Sequence, residues 1–336
     1  MSDDAAVILI EPIPPKQTST LRKIFIGKDG LRAGWSLLIF IAILVMIGYS
    51  VNKIGHKLYP PTPKSAQATQ DAMGKPRFLL IGESAQLLVV VLVTWIMSKI
   101  ERRPNSVYGF GGVRKVSHFL AGLAWGITCL SLLVLTLWKT GLLVIESRVL
   151  FGSDILRYGA IWLAGFLLVG LVEEYLTRGY LQYTLTRGLA GIYRWVFKTR
   201  HSEILGFWTA AVVFSILFGL GHGSNPGESP IGLLSAGLAG MVFCFSLWRT
   251  GSLWWAIGFH TSWDWAQSFL YGVADSGLMI QHHLLATHPV GKAILSGGTT
   301  GPEGSIFVLA ALALVCLIIF FTLPRVRHGE PTERGV

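Results

Sequence analysis

Charge is what this sequence is short of. Asp, Glu, Lys and Arg make up 14% of its 336 residues, against roughly a quarter in a soluble globular domain. With 52% hydrophobic residues and a mean hydropathy of +0.56, this excludes an ordinary water-soluble fold and implies an integral membrane protein. Cysteine is scarce too. Cys129, Cys244 and Cys316 each lie within an apolar run, far from one another. That excludes a disulfide framework, and the lack of a CxxC pair excludes a cysteine metal site. The three read as packing residues. A phosphate-binding loop is also missing, because the glycine run Gly297-Gly298-Thr299-Thr300-Gly301-Pro302-Glu303-Gly304 follows no strand. The polar segment 273–303 reads instead as a flexible connector. Acidic residues are outnumbered, 18 to 28, for a net charge of +10. The excess does not imply nucleic acid. The basic residues sit in short segments between apolar runs, where they orient the chain and face anionic lipid.

What the chain does have is long hydrophobic runs. They cover about 31–50, 78–98, 117–138, 158–176, 205–221, 231–248, 252–272 and 304–323. A membrane span needs about 20 residues, so the expected fold is all-α: a polytopic transmembrane bundle of about eight spans, with any site between core helices. Leu142–Ile145 is too short to span. Residues 1–30 read as a cytoplasmic tail, 31–325 as one transmembrane domain with its core motifs in 150–275, and 326–336 as a C-terminal tail. The first run begins only near Leu31, late for a secretory signal. Arg22, Lys23 and Lys28, then Lys99, Arg102, Arg103, Arg114 and Lys115, then Arg187, Arg194, Lys198 and Arg200, then Arg325, Arg327 and Arg334 fall on one side of an eight-helix chain, which puts both termini in the cytoplasm. The segment 51–77, with five basic residues, breaks that contrast. Residues 179–202 are amphipathic and read as an interfacial helix or hairpin.

A few polar residues interrupt the apolar runs. Glu173 and Glu174 close the fourth. A carboxylate at mid-membrane costs ~2.5–3.5 kcal/mol on insertion scales, so two in a row call for a use. Glu174 and Arg178 are four apart and can pair on one helix face, whereas Glu173 is rotated ~100° away and lacks that partner. A carboxylate so placed can act as a base; the plain alternative is an ion pair at a helix end. His222 ends the fifth run, four residues after Phe218. His260 and Asp264, four apart, share a face of the seventh, where Asp264 can fix the tautomer of His260. Glu83, in the second, reads as a cross-helix hydrogen-bonding group, and His118 as interfacial. His282, His283 and His288 form a loop cluster without a ligand pattern. Two histidines and carboxylates from three helices can converge on one point, either holding a divalent metal such as zinc with an open position or holding a water between Glu173 and the histidines. Both imply water activation. One geometric demand follows. His222 lies at the far end of its run while His260 lies inside its own, so for the two to meet the fifth span must be tilted or shifted, or the span limits lie several residues from where hydropathy puts them.

Glu173-Glu174-x-x-x-Arg178, Phe218-x-x-x-His222 and His260-x-x-x-Asp264, in that order on successive apolar segments, resemble the CPBP family of intramembrane proteases. That family includes the type II CAAX prenyl endopeptidases and abortive-infection or bacteriocin-immunity relatives. The resemblance covers about 150–275. It implies peptide-bond hydrolysis within the membrane, with Glu173 as base, His222 as its partner on the water, and His260 with Asp264 stabilising an oxyanion or a metal (metal ligands: Glu173, His222 and His260). Glu174, Arg178 and Phe218 would be supporting. Asp264 stands where the prenyl-protease branch usually has Asn, an added negative charge that argues against a prenylated substrate. The expected substrate is a membrane-associated peptide or protein, and the expected location a bacterial cytoplasmic membrane. A non-catalytic relative that sequesters a peptide or partner is the alternative. A transporter with Glu83, Glu173 and the histidines on a proton path is a third, though no paired, broken segments of the kind seen in inverted repeats support it.

Overall fold

The computed structural model describes residues 24–27, 30–58 and 74–325. Of the two expected tails, residues 1–23, 28–29 and 326–336 lie outside that set. A minimal antiparallel hairpin, β1 (Ile26–Gly27) with β2 (Gly30–Leu31), leads into α1 (Ala33–Leu58), α2 (Pro76–Glu101) and α3 (Lys115–Lys139). Strand β3 (Leu143–Arg148) follows, and then α4 (Ser153–Glu174). A π-helical stretch, Tyr175–Leu181, joins α4 to α5 (Gln182–Phe197). The rest of the bundle is α6 (Ser202–Gly221), α7 (Pro230–Thr250), α8 (Trp254–Trp265) with a second π stretch at Ala266–Leu270, and, after β4 (Leu285–Pro289) and the short α9 (Ala293–Ser296), α10 (Val308–Thr322).

All eight expected apolar runs are helical. Among the described residues, six helices are long and apolar enough to cross a bilayer. The shorter two are α8 and α10, and for α8 the reason lies in its surroundings. Every residue from Trp255 to Asp264 is buried, polar ones included, so the helix lies in the protein interior rather than against lipid. It packs against α3 and α4 at very short range. A Cβ on Gly122 or Gly126 of α3 would overlap the carbonyl of Trp255 or of Phe259, and one on Gly258 of α8 would overlap the carbonyl of Phe119. This is the small-residue seam that lets membrane helices approach backbone to backbone. Leu130, Leu133 and Leu137 of α3, Phe243 of α7 and Val315 and Ile319 of α10 complete the core around it. Large apolar side chains such as Leu88, Leu120, Ile216, Leu220 and Phe321 stand on the outside, as a lipid-facing surface requires.

Local sequence explains several boundaries. Helix α7 begins with Ser229, whose hydroxyl accepts from the Gly232 amide at 3.1 Å, followed by Pro230 at the first helical position. It ends at Gly251 with φ 66°. That is a side-chain N-cap, a prolyl start and a left-handed glycine stop.

Three expectations are corrected. The first helix runs past residue 50 to Leu58, so Lys53 and Lys57 are helical rather than in a loop. Residues 182–197 are not a separate interfacial helix. They continue α4 through the π stretch, so that Ser153–Phe197 is one 45-residue helical unit whose second part is amphipathic. Nor is 273–303 a flexible connector. Its β4 pairs antiparallel with β3, Leu143 opposite Pro289 and Arg148 opposite Leu285, with a register shift between Ile145 and Ser147. The glycine run folds back as well. Gly301 has φ 97°, and a Cβ there would overlap the Ala274 carbonyl, so the turn requires glycine. Of the short run Leu142–Ile145, residues 143–145 belong to β3.

Candidate active site

The long helix sets the depth of the site. Helix α6 runs back antiparallel along α5, tied by the Tyr193 and Thr209 hydroxyls at 2.9 Å and by close approach of Gly206 to Ala190. Counting back from the turn between them, Phe218 and His222 return to the level of Arg178. The guanidinium of Arg178 lies 4.2 Å from the centroid of the Phe218 ring. This meets the depth demand without a special tilt, because hydropathy alone ends the fourth span at 176 while the helix goes on.

Each motif then falls into place around His260. Arg178 Nη1 donates to Glu174 Oε1 at 2.8 Å, and both side chains are buried. The same Oε1 lies 3.2 Å from His260 Nδ1. His260 Nε2 lies 3.7 Å from Glu173 Oε2 and 3.5 Å from Asp264 Oδ2. Phe243 of α7 stacks on the His260 ring at 5.3 Å. His222 sits just past α6, edge-on to Phe218 at 4.8 Å, and its Nδ1 lies 2.8 Å from the Phe218 carbonyl. A carbonyl can only accept, so this contact fixes the proton on Nδ1 and leaves Nε2 as an acceptor.

The two adjacent glutamates therefore differ as the helix phase predicts. Glu174 is fully buried and bound. Glu173 keeps about a third of its side chain exposed and lines the cavity; an Oε2 buried without a hydrogen-bond partner is common to both. Thr177 Oγ1 donates to the Glu173 carbonyl at 2.5 Å where the π stretch begins, and π turns in α-helices cluster at functional sites. The second π stretch follows directly after His260 and Asp264 on α8.

Glu173, His222, His260, Asp264 and Phe218 all line one cavity of about 560 Å³. Glu83 lines it as well. Its hydrogen-bond partner is Gln86 of its own helix, at 3.0 Å, not a group across the bundle. Arg178 and Glu174 stand behind the wall. His118, expected at the interface, is buried one turn into α3. Of the loop histidines, His288 pairs with Glu146 at 2.8 Å and His282 stacks on Tyr158, both away from the cavity.

Sequence reasoning missed two cavity residues, Asp275 and Glu303. Glu303 accepts from Trp263 Nε1 at 2.8 Å and from Ser276 Oγ at 3.1 Å. Asp275 accepts from Ser268 Oγ at 3.2 Å. Burial first, then the neighbouring Asp264 and Glu303 carboxylates, push the Asp275 carboxyl well above the usual range. The available signal was a lone acidic residue inside a Gly-Pro turn.

Among the described residues, no group of three His, Cys, Asp or Glu side chains is arranged to hold a metal ion. The Glu174 contact takes His260 Nδ1 and leaves Nε2 facing Glu173 and Asp264.

No curated protein and no solved structure matches the chain. Residues 155–266, about a third of the chain and the part holding all three motifs, match the family model described as type II CAAX prenyl endopeptidase Rce1-like.

Proposed function

We propose that this protein is an intramembrane endopeptidase that hydrolyses a peptide bond in a membrane-associated peptide or protein. The observation that carries the reading is the contrast between Glu174, buried and locked by Arg178 and His260, and Glu173, which is about a third exposed and faces the cavity. In the proposed reaction, Glu173 accepts a proton from a water while His222 Nε2 accepts a hydrogen bond from the water's other hydrogen, which stays on the oxygen. The water oxygen adds to the peptide carbonyl carbon. The resulting oxyanion is met by His260 acting as an imidazolium, with Nδ1–H given to Glu174 and Asp264 balancing its charge from the Nε2 side. Collapse breaks the C–N bond, and the Glu173 carboxyl returns its proton to the leaving amine. General-base catalysis of this kind contributes typically 10²–10⁴-fold.

By the same reading the protein works in a bacterial cytoplasmic membrane with both termini inside. Arg194, Lys198 and Arg200, at the end of the long helix and the turn after it, then face anionic headgroups.

The test is cleavage of a fluorogenic peptide panel, prenylated CAAX and unprenylated, by the purified protein in lipid nanodiscs with and without a strong chelator. Cleavage is the expected result, and the chelator arm decides whether a divalent ion is required. A protein that binds these peptides and cuts none would be the non-catalytic relative instead.

A further inference from the structure

The reaction proposed above leaves the oxyanion with one contested donor. His260 gives its Nδ1–H to Glu174, and its Nε2 lies 3.7 Å from Glu173 and 3.5 Å from Asp264. Both carboxylates compete with the oxyanion for the same proton. The other side-chain donors of the cavity wall are nearly all committed. Trp162 Nε1 donates to the Gln281 carbonyl at 3.0 Å and Trp263 Nε1 to Glu303 at 2.8 Å. Gln86 donates to Glu83 at 3.0 Å, and His222 Nδ1 to the Phe218 carbonyl at 2.8 Å. All four serine hydroxyls of the wall donate to a backbone carbonyl or a carboxylate. Asn225 is the exception. It lines the cavity, is half-buried, and its carboxamide meets no hydrogen-bond partner among the described residues.

Asn225 is held through its backbone, which leaves the side chain free for a ligand. Its N–H donates to the His222 carbonyl at 2.9 Å, and its own carbonyl accepts from the Glu228 amide at 3.3 Å. Pro226 follows, and a residue before proline is driven to the extended region; Asn225 has φ −73° and ψ 132°. Two residues on, the Gly227 carbonyl accepts from Thr299 at 2.7 Å and from Thr300 at 3.2 Å, so the 273–303 segment pins the same loop. A donor fixed in this way needs no reorganisation when charge develops. The loop also keeps Asn225 one turn from His222, the partner of the attacking water. We propose that Asn225 is a second oxyanion donor. As the water oxygen adds to the carbonyl carbon, the π pair of the C=O bond moves onto its oxygen, and Asn225 Nδ2–H donates to that oxygen alongside His260. This rests on the endopeptidase reading and adds a catalytic residue to it.

The test is kcat and KM of wild type, Asn225→Ala and Asn225→Asp on one cleaved peptide, with Tm of each protein in nanodiscs. The extended backbone at this position suits any residue, so both variants should fold with unchanged Tm. Loss of the donor should lower kcat by about 10²–10³-fold and leave KM within about threefold, because the oxyanion forms only on the way through the transition state. Asn225→Asp keeps the size and shape of the side chain but has no N–H to give, so it should be no faster than Asn225→Ala. It carries the test if the alanine variant loses Tm. A peptide aldehyde, whose hydrate resembles the tetrahedral intermediate, gives a readout that a packing role would not move. Its inhibition constant should rise in both variants as kcat falls, while KM stays. A kcat of Asn225→Ala within about threefold of wild type overturns the assignment. So does a loss confined to KM, or an Asn225→Asp protein as active as wild type. A wild type that cuts no peptide removes the endopeptidase reading and this assignment with it. A wild type that cuts, beside an equally fast Asn225→Ala, leaves that reading standing and overturns the assignment alone.

Discussion

Arg178→Met should be among the most destabilising single changes in the bundle. The guanidinium is buried, holds Glu174 at 2.8 Å and stacks on Phe218 at 4.2 Å. Removing one partner of a buried pair leaves an uncompensated charge and costs ~3–5 kcal/mol. A desolvated cation–π contact adds up to ~2 kcal/mol. Against this, His260 Nδ1 remains 3.2 Å from the same Glu174 oxygen and keeps some of the compensation, so the net cost should stay near ~3–5 kcal/mol. At ~2–4 °C per kcal/mol for a chain of 150–250 residues, that is on the order of 10 °C in Tm. Adding Glu174→Gln should recover most of the loss, because the amide oxygen still accepts from His260 while the orphaned charge is gone. Thermal unfolding of wild type, single and double variants in nanodiscs is the assay. A single variant that loses less than ~1 kcal/mol would refute the reasoning, since breaking a buried pair costs several times that. So would a double variant no more stable than the single.

The α3–α8 seam gives a second prediction. Gly126→Leu must push one backbone away from another that it touches, so it should cost at least ~3 kcal/mol, the upper end for overpacking. The same change at Gly48 of α1, where a Cβ meets nothing within 4 Å, should be far milder; the readout is yield of folded protein and Tm. Asp275 gives a pH dependence. Its folded value is raised, mainly by burial, so its contribution to stability is present below the ordinary carboxylate value near ~4 and is lost as pH rises through the shifted value. Tm should fall on that rise in the wild type and fall less in Asp275→Asn. An identical pH profile in the two proteins would contradict it.

The membrane class, the eight apolar helices and the motif residues could all be read from the sequence, because each is a local property: composition, run length or i,i+4 spacing. What could not be read depends on partners far away in the chain. Arg178, Gln182 and Thr184 look like the end of a span, yet all three are buried, since α6 and α7 cover them and the helix continues. The segment 273–303 looks like a connector because it is polar and glycine-rich. Its order comes from Leu143–Arg148 across the sheet, from Trp263 holding Glu303 and from Thr299 donating to the Gly227 carbonyl at 2.7 Å. The pairing of Glu174 with His260 spans 86 positions. Helix phase separated the roles of the two glutamates, but only the packing of α8 against α4 shows which imidazole Glu174 holds.

The central claim is that Glu173 takes the proton from the attacking water, and the direct measurement is kcat/KM of Glu173→Gln against wild type on one cleaved peptide, with Tm of both proteins alongside. The expected result is a loss of about 10²–10⁴-fold, the usual share of a general base, at unchanged Tm. A Glu173→Gln protein that cleaves within about threefold of wild type would contradict it.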